Sequence, residues 1–205
     1  YRLGSNKPLW KKDYNLHREY NPMEIHEISR DIALQISKKP SLLMDQFSFV
    51  RKPNPNLYQL MISDFSGENT SILKESHDPL TSLRWSPNGQ YLAYVSYAHK
   101  QPSLWLYDTE NNQHRLLKND PGLNNAPAWS KDGKTLAFTV IRDQHPHIDL
   151  LNIETGEQTP LTQGWSINTE PCFSLDDKQL WFTSNRGGSP QIYAWNLETK
   201  EVNRI

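Results

Sequence analysis

The sequence has one cysteine, Cys172, among its 205 residues, so no internal disulfide can form. It contains no run of about 20 consecutive apolar residues, which excludes a predicted transmembrane helix. Acidic and basic residues nearly balance at a formal net charge of −1, which argues against nucleic acid or an anionic membrane as the main partner. These absences leave a chain with enough apolar and aromatic residues to bury a core.

A repeat organises most of the chain. The ten-residue stretch 85–94 returns at 129–138 and, in a more divergent form, at 173–182, each time at a step of 44 residues. Each copy begins with an aromatic residue, passes through a polar turn such as Ser-Pro-Asn-Gly, and continues into a short apolar run. A run that is too short for a helix and is bounded by turns predicts a buried strand.

The second half of each repeat is equally regular. Apolar segments at 104–108, 148–152 and 192–196 each lead into a polar turn, after which another short strand is predicted. Four strands in each 44-residue period predict a β-propeller, whose four-stranded blades stack on one another around a central channel. The predicted fold class is therefore mainly β.

The number of repeats predicts an incomplete ring. Three full repeats at about 77–120, 121–164 and 165–205 follow a shorter one at 46–76 that lacks its innermost strand. About three and a half blades would leave apolar faces and strand edges uncovered. We therefore expect the natural protein to continue past Ile205.

The first 42 residues follow another pattern. Alternating apolar residues at 13–20 predict a strand, and Asn21 followed by Pro22 is a helix-start signal. Isoleucines then recur at helical spacing, at Ile25, Ile28, Ile32 and Ile36. This strand–helix segment has no counterpart later in the chain, so residues 1–42 are predicted to form part of a domain separate from the propeller at 43–205.

Three segments resemble the TolB family, the periplasmic propeller proteins of the Tol–Pal system in Gram-negative bacteria. They are 125–130, 168–171 and 180–193, and the last contains the run Asn-Arg-Gly-Gly-Ser-Pro-Gln-Ile-Tyr. The likeness extends over about 13–205 and implies a six-bladed propeller, of which this chain holds about three and a half four-stranded blades. The strand–helix segment resembles the end of the family's α/β N-terminal domain.

The resemblance implies a non-catalytic periplasmic scaffold rather than an enzyme. Its expected partner is the peptidoglycan-associated lipoprotein Pal, bound at the mouth of the channel, and bacteriocins that mimic Pal are further expected partners. The implied roles are outer-membrane integrity, cell division, protein transport and bacteriocin import. Contact with TolA would use an N-terminal segment that is absent from this chain. No cofactor and no direct membrane insertion are expected.

The loops that lead into the innermost strands, at 77–84, 121–128 and 165–172, would face the channel mouth and form the partner surface. Leu123 stands where the family often has histidine. For Asn125 and Asn168 the alternative is that they only satisfy backbone groups where a strand begins. The predicted partner-binding residues are Thr81, Ser82, Leu123, Asn124, Asn125, Ala126, Ile167, Asn168, Thr169 and Glu170.

Sequence signals for catalysis or metal binding are weak. No Gly-x-Ser-x-Gly and no Gly-x-x-x-x-Gly-Lys motif occurs, so neither a nucleophile elbow nor a phosphate loop is predicted. His145 and His147 lie two residues apart, but no third ligand is fixed by spacing, and we predict a solvated hairpin without metal. The pair at 176–177 occupies turn positions of the repeat, so it is not interpreted as paired catalytic carboxylates.

Two other functions remain open from the sequence. The first is the propeller domain of a prolyl-oligopeptidase-type peptidase, whose hydrolase domain would lie outside this chain. The second is a propeller that binds a sugar or metabolite. A Gly-x-Ser-x-Gly domain in the flanking sequence would indicate the first, and a ligand-dependent rise in melting temperature would indicate the second.

Overall fold

The computed structural model describes residues 12–13, 28, 31–32, 46–64, 66–98, 100–122 and 124–205. Ile28, Asp31 and Ile32 are helical, within the predicted helix. The remainder of that helix, the predicted strand beyond Asp13 and the predicted domain boundary at residue 42 lie outside the described residues. No helix among the described residues is long and apolar enough to cross a membrane.

The described chain is built from antiparallel strands. Fifteen strands follow one another: β1 Gln46–Asn54, β2 Leu57–Asp64, β3 Thr70–Ser76, β4 Leu80–Trp85, β5 Tyr91–Ser96, β6 Ser103–Asp108, β7 Gln113–Lys118, β8 Asn124–Trp129, β9 Thr135–Arg142, β10 His145–Asn152, β11 Gln158–Pro160, β12 Asn168–Phe173, β13 Gln179–Ser184, β14 Gln191–Asn196 and β15 Val202–Arg204. The chain divides into two compact units, residues 1–49 with 61–73, and residues 50–60 with 74–205.

The strands form sheets in simple sequence order. One sheet has three strands, β1 to β3, and three sheets have four strands each, β4 to β7, β8 to β11 and β12 to β15. Within each four-stranded sheet every strand is hydrogen-bonded to the next one along the chain. The prediction of four-stranded propeller blades is therefore confirmed. The first sheet has three strands among the described residues, and the position predicted to lack a strand, before Gln46, lies outside them.

The turns between the first and second strands of each four-stranded sheet use the same chemistry. A serine hydroxyl bonds the acidic or amide side chain two residues later and accepts the backbone N–H that begins the next strand, at Ser86, Ser130 and Ser174. Asp177 takes the position of the glycine and has φ of +55°. Its carboxylate accepts the backbone N–H of Lys131, in the equivalent turn of the preceding sheet, at 2.8 Å. Asp176 accepts the Ser174 hydroxyl and the Lys178 N–H within its own turn, so the 176–177 pair does serve the turn.

The core lies between neighbouring four-stranded sheets. Strand β5 is buried on both faces, as the apolar runs predict, and Ala93 and Val95 belong to the same cluster as Leu136 and Phe138 of the next sheet. Trp129 packs against this cluster from the innermost strand, so the aromatic residue that starts this repeat is a packing residue. The outcome is a stack in which each four-stranded sheet covers one face of its neighbour.

One polar cluster is buried among these apolar faces. The Asp149 carboxylate, 1% exposed, accepts from Arg142 Nη1 at 2.5 Å and from Gln158 Nε2 at 2.5 Å. His147 lies two residues before Asp149, is 3% exposed, and has no hydrogen-bond partner at Nδ1. The predicted solvated hairpin is therefore wrong for His147, because the alternation of strand β10 turns its side chain inward together with Asp149.

Acidification is expected to destabilise the protein through His147. Burial lowers the pKa of its imidazole below the usual 6.5, and the Arg142 guanidinium adds to the shift. The native state therefore excludes a proton that the unfolded chain accepts, so this stability is complete above about pH 6.5 and decreases as the pH falls through that value. His147→Gln should reduce the difference in urea midpoint between about pH 7.5 and 5.5, whereas His145→Gln should retain it. An equal pH dependence in both variants would contradict the assignment.

Candidate partner-binding site

The innermost strand of each four-stranded sheet is interrupted at the same position. At the interruption, two residues of this strand face one residue of the neighbouring strand. The register shifts between Thr81 and Arg84 in β4, between Asn125 and Ala128 in β8, and between Thr169 and Cys172 in β12. Such β-bulges bend a strand and redirect its side chains. Each bulge contains a residue other than glycine with a left-handed backbone, at φ of 54° for Ser82, 50° for Ala126 and 54° for Glu170.

Packing holds the bulges in place. The single residue opposite each bulge is a large aromatic that is fully buried, namely Tyr94, Phe138 or Phe182. In two copies the residue after the left-handed one is proline, which has no N–H to give to the ladder and suits a bulge. A left-handed residue other than glycine costs roughly 1–3 kcal/mol and persists only where its surroundings enforce it.

The three bulged strands line a cleft of about 780 Å³. Its lining residues include Ser82, Arg84, Asn125, Thr139, Glu170 and Cys172. Thr139 is 1% exposed, and its hydroxyl has no hydrogen-bond partner. The cleft therefore offers both hydrogen-bonding groups and charges of each sign, which suits recognition of a polar ligand surface.

Hydrogen bonds between neighbouring sheets fix the walls of this cleft. Ser82 Oγ donates to Asn125 Oδ1 at 2.7 Å, and the same oxygen accepts the backbone N–H of Ala126 at 2.7 Å. Trp129 Nε1 donates to the carbonyl oxygen of Arg84 at 2.9 Å. These bonds connect β4 to β8, so the predicted residues Ser82, Asn125 and Ala126 are brought together on one surface.

The structure separates the predicted residues into accessible and buried ones. Thr81, Ile167 and Glu170 are exposed, and Ser82, Asn125, Ala126 and Thr169 are half-buried. Asn124 and Asn168 are 0% exposed, so their side chains cannot touch a partner. Leu123 lies outside the described residues.

The two buried asparagines hold the loops instead. Asn124 Nδ2 donates to the carbonyl oxygens of Asp120 at 2.8 Å and Pro102 at 3.1 Å. Asn168 Nδ2 donates to the carbonyl oxygen of Ser166 at 2.8 Å. This matches part of the alternative given for Asn168, because Nδ2 satisfies a backbone group where the strand begins, but Oδ1 also accepts a hydrogen bond from Arg186 Nη2 at 3.1 Å. For Asn125, whose amide bonds Ser82 at the cleft, that alternative is incomplete.

The loop before β12 contains a surface residue that no sequence motif singles out. Trp165 is 84% exposed, and its ring meets the edge of His145 at a centroid distance of 5.4 Å. Exposed tryptophans held by a neighbour are frequent anchors of protein interfaces. The sequence feature that could have pointed to Trp165 was its position three residues before Asn168, because that loop was expected to face a partner.

Glycine is required in the loop that leads into β8. Gly122 has φ of +106°, and a Cβ there would lie 2.7 Å from Ile141 Cβ. The backbone of this loop therefore approaches β9 more closely than any side chain would allow. A substitution at Gly122 would displace the loop that carries Asn124 and Asn125.

Nothing in the described part of the chain is arranged for metal chemistry, since no group of three or more His, Cys, Asp or Glu side chains could hold an ion there. Cys172 is exposed in the cleft as a free thiol. What the described surface offers is hydrogen bonding, apolar contact and a fixed backbone. Those are the means of protein recognition.

Consecutive four-stranded antiparallel sheets that pack face to face define the class: these are blades of a β-propeller. A family model described as the TolB beta propeller domain matches residues 35–205. The chain belongs to that family, which confirms the resemblance seen in the sequence.

Individual relatives agree with this assignment. The Tol-Pal system protein TolB of Legionella pneumophila is 35% identical over 127 residues, covering 60% of this chain and 30% of that protein. The crystal structure of TolB from Acinetobacter baumannii superposes with a TM-score of 0.76 at 33% identity, covering 87% of this chain and 46% of that one. The chain thus spans less than half the length of these relatives.

Peptidases share the architecture at greater distance. A puromycin-hydrolyzing peptidase from Mycobacterium tuberculosis has a TM-score of 0.62 at 11% identity, covering 78% of this chain and 26% of that one. An identity this low shows the fold alone. It adds no specific support to the peptidase alternative.

Proposed function

We propose that this chain is the propeller part of a TolB protein of the Tol–Pal system and acts in the periplasm as a non-catalytic scaffold. Its partner is the lipoprotein Pal, and its cellular roles are outer-membrane integrity and cell division. The proposal rests on family membership and on TolB relatives that are named for the Tol–Pal system. Bacteriocins that mimic Pal would compete for the same surface. TolA is a further proposed partner of the protein.

One structural observation supports the position of the Pal surface. The bulged strands β4, β8 and β12 place six accessible predicted residues along one edge of the three sheets, namely Thr81, Ser82, Asn125, Ala126, Thr169 and Glu170. Because the bulges are fixed by packed aromatics, the surface is formed before any partner arrives. A preformed surface avoids the cost of ordering loops on binding.

Binding to Pal is expected to weaken about tenfold or more when Thr169 is replaced by tryptophan, because the larger ring would block the cleft beside Glu170. The measurement is titration calorimetry with a soluble Pal domain. Thr199→Trp is the matched control, since Thr199 is exposed in the β14–β15 turn at the opposite edge of the same sheet.

Two results would count against this surface. Equal affinities of Thr169→Trp and the unaltered protein would remove the cleft from the interface. A loss of the same size in Thr199→Trp would attribute the effect to general damage. Thermal melting of both variants should stay close to that of the unaltered protein, because neither position is in the core.

A further inference from the structure

Two arginines occupy equivalent positions in consecutive repeats but have different surroundings. Arg142 ends β9, and Arg186, at the 44-residue step, follows the end of β13. Arg142 is neutralised by Asp149 at 2.5 Å. In the next repeat the position of Asp149 is taken by Tyr193. Among the residues that the structure describes, no carboxylate lies within ion-pair distance of Arg186.

The unpaired guanidinium of Arg186 is nevertheless held firmly. Nε donates to Ser184 Oγ at 3.1 Å, and Nη2 donates to Asn168 Oδ1 at 3.1 Å. The group lies over the rings of Phe182 and Tyr193, 5.1 and 5.0 Å from their centroids. Partial burial lowers its pKa from the usual value, and the Tyr193 phenol opposes that shift. No described residue accepts a hydrogen bond from Nη1.

A glycine permits this arrangement. A Cβ at Gly187 would lie 2.8 Å from Tyr193 Oη, so a larger residue there would displace the phenol that supports the guanidinium. The Asn-Arg-Gly-Gly run of the sequence therefore has a local structural purpose. It keeps Arg186 over two aromatic faces, where cation–π attraction fixes the charge without cancelling it.

The guanidinium borders a cleft of about 470 Å³. The other walls come from Leu161, Thr162, Gln163, Ser166 and Trp195. Ser166 and Gln163 offer hydrogen-bonding groups beside the charge, and Trp195 and Leu161 offer apolar surface. The cleft is large enough to admit a side chain of a partner, and Ser166 belongs to the loop that leads into Asn168 and Thr169.

We propose that the Arg186 cleft binds a carboxylate, the side chain of an aspartate or glutamate on the protein partner. The inference rests on the proposed function, since the cleft adjoins the proposed Pal surface and would be one of its subsites. A fixed guanidinium with one free edge matches a single carboxylate in shape and charge. Arg142 is excluded from this role, because Asp149 of its own sheet already occupies it.

Affinity for the Pal domain is expected to decrease about tenfold in Arg186→Gln at low salt, and the salt dependence of the remaining binding should become weaker. Arg204→Gln is the control for the loss of one positive charge, because Arg204 is exposed on β15 and, among the described residues, its guanidinium bonds only the Gln191 side chain. Equal affinities of Arg186→Gln and Arg204→Gln would overturn the assignment to a specific carboxylate.

A second measurement separates this inference from the proposed function. The Nε–Hε NMR signal of Arg186 is followed while N-acetylglutamate amide, its glutamine isostere or inorganic phosphate is added to the chain at millimolar concentrations. A shift with the glutamate probe alone supports a carboxylate site even if Pal does not bind. Equal shifts with glutamate and glutamine, or no shift with either, overturn the inference. A larger shift with phosphate assigns the cleft to a phosphorylated ligand and overturns the carboxylate.

Discussion

Replacing Phe138 with alanine is expected to lower the free energy of unfolding by about 3–5 kcal/mol. The ring is 0% exposed and belongs to the cluster between the β4–β7 and β8–β11 sheets. It also lies opposite the bulge at Ala126 and Pro127. The change therefore removes apolar burial, leaves a cavity and releases the left-handed backbone at the cleft.

Urea unfolding followed by circular dichroism measures this loss. Leu175→Ala is the matched control, because Leu175 is 94% exposed in a turn and its removal should change stability by less than about 0.5 kcal/mol. If Phe138→Ala unfolds at the same urea concentration as Leu175→Ala, the proposed role of the ring in fixing the bulge is incorrect.

Replacing Asp149 with alanine is expected to cost about 2–3 kcal/mol of folding free energy, less than the 3–5 kcal/mol typical of fully buried pairs. The variant removes the carboxylate acceptor of Arg142 Nη1 and Gln158 Nε2, whereas Arg142 Nη2 keeps the carbonyl oxygen of Thr162. The expected loss of folding free energy is smaller than for a fully buried pair because the Arg142 side chain is 32% exposed and keeps some access to water.

A double variant distinguishes the lost pair from lost packing. Arg142→Met combined with Asp149→Leu removes both charges and fills the space, so it should be more stable than Asp149→Ala alone. The measurement is urea unfolding of the single and double variants at one pH. If the double variant is less stable than Asp149→Ala, the ion pair stabilises the folded state more than an apolar pair of similar volume does.

The strand plan of the propeller could be predicted from the sequence because the repeat keeps its chemistry. An aromatic, a serine-led turn and an apolar run return every 44 residues, and each became the corresponding strand or turn. Even the divergent turn at 176–177 was placed correctly. Turn geometry depends on local side-chain and backbone bonds, which a sequence displays directly.

The bulges of the inner strands could not be predicted from a recurring residue type. Ser82, Ala126 and Glu170 share no chemistry, and none is a residue type that prefers a left-handed backbone. Their conformation is imposed by the aromatic packed opposite, which is a tertiary effect. Pro127 and Pro171 were the available hint, since proline inside a strand marks an edge or a bulge.

The candidate site was predicted in outline but not in the roles of its residues. The assignment of these loops to a partner surface stays a prediction, and the burial of Asn124 and Asn168 depends on amide bonds to loop carbonyls that no spacing reveals. Comparison of Asp149 with Tyr193 at the 44-residue step would have exposed the difference between the two arginines.

That difference has a consequence for how a partner is oriented. Repeats of near-identical geometry offer a visiting protein several almost equivalent poses, each rotated from the last by one repeat. Arg142 cancels its charge internally and Arg186 does not, so the poses differ in electrostatic energy. In the proposed complex, the uncancelled cation of one repeat would favour one rotational setting of the partner over the others.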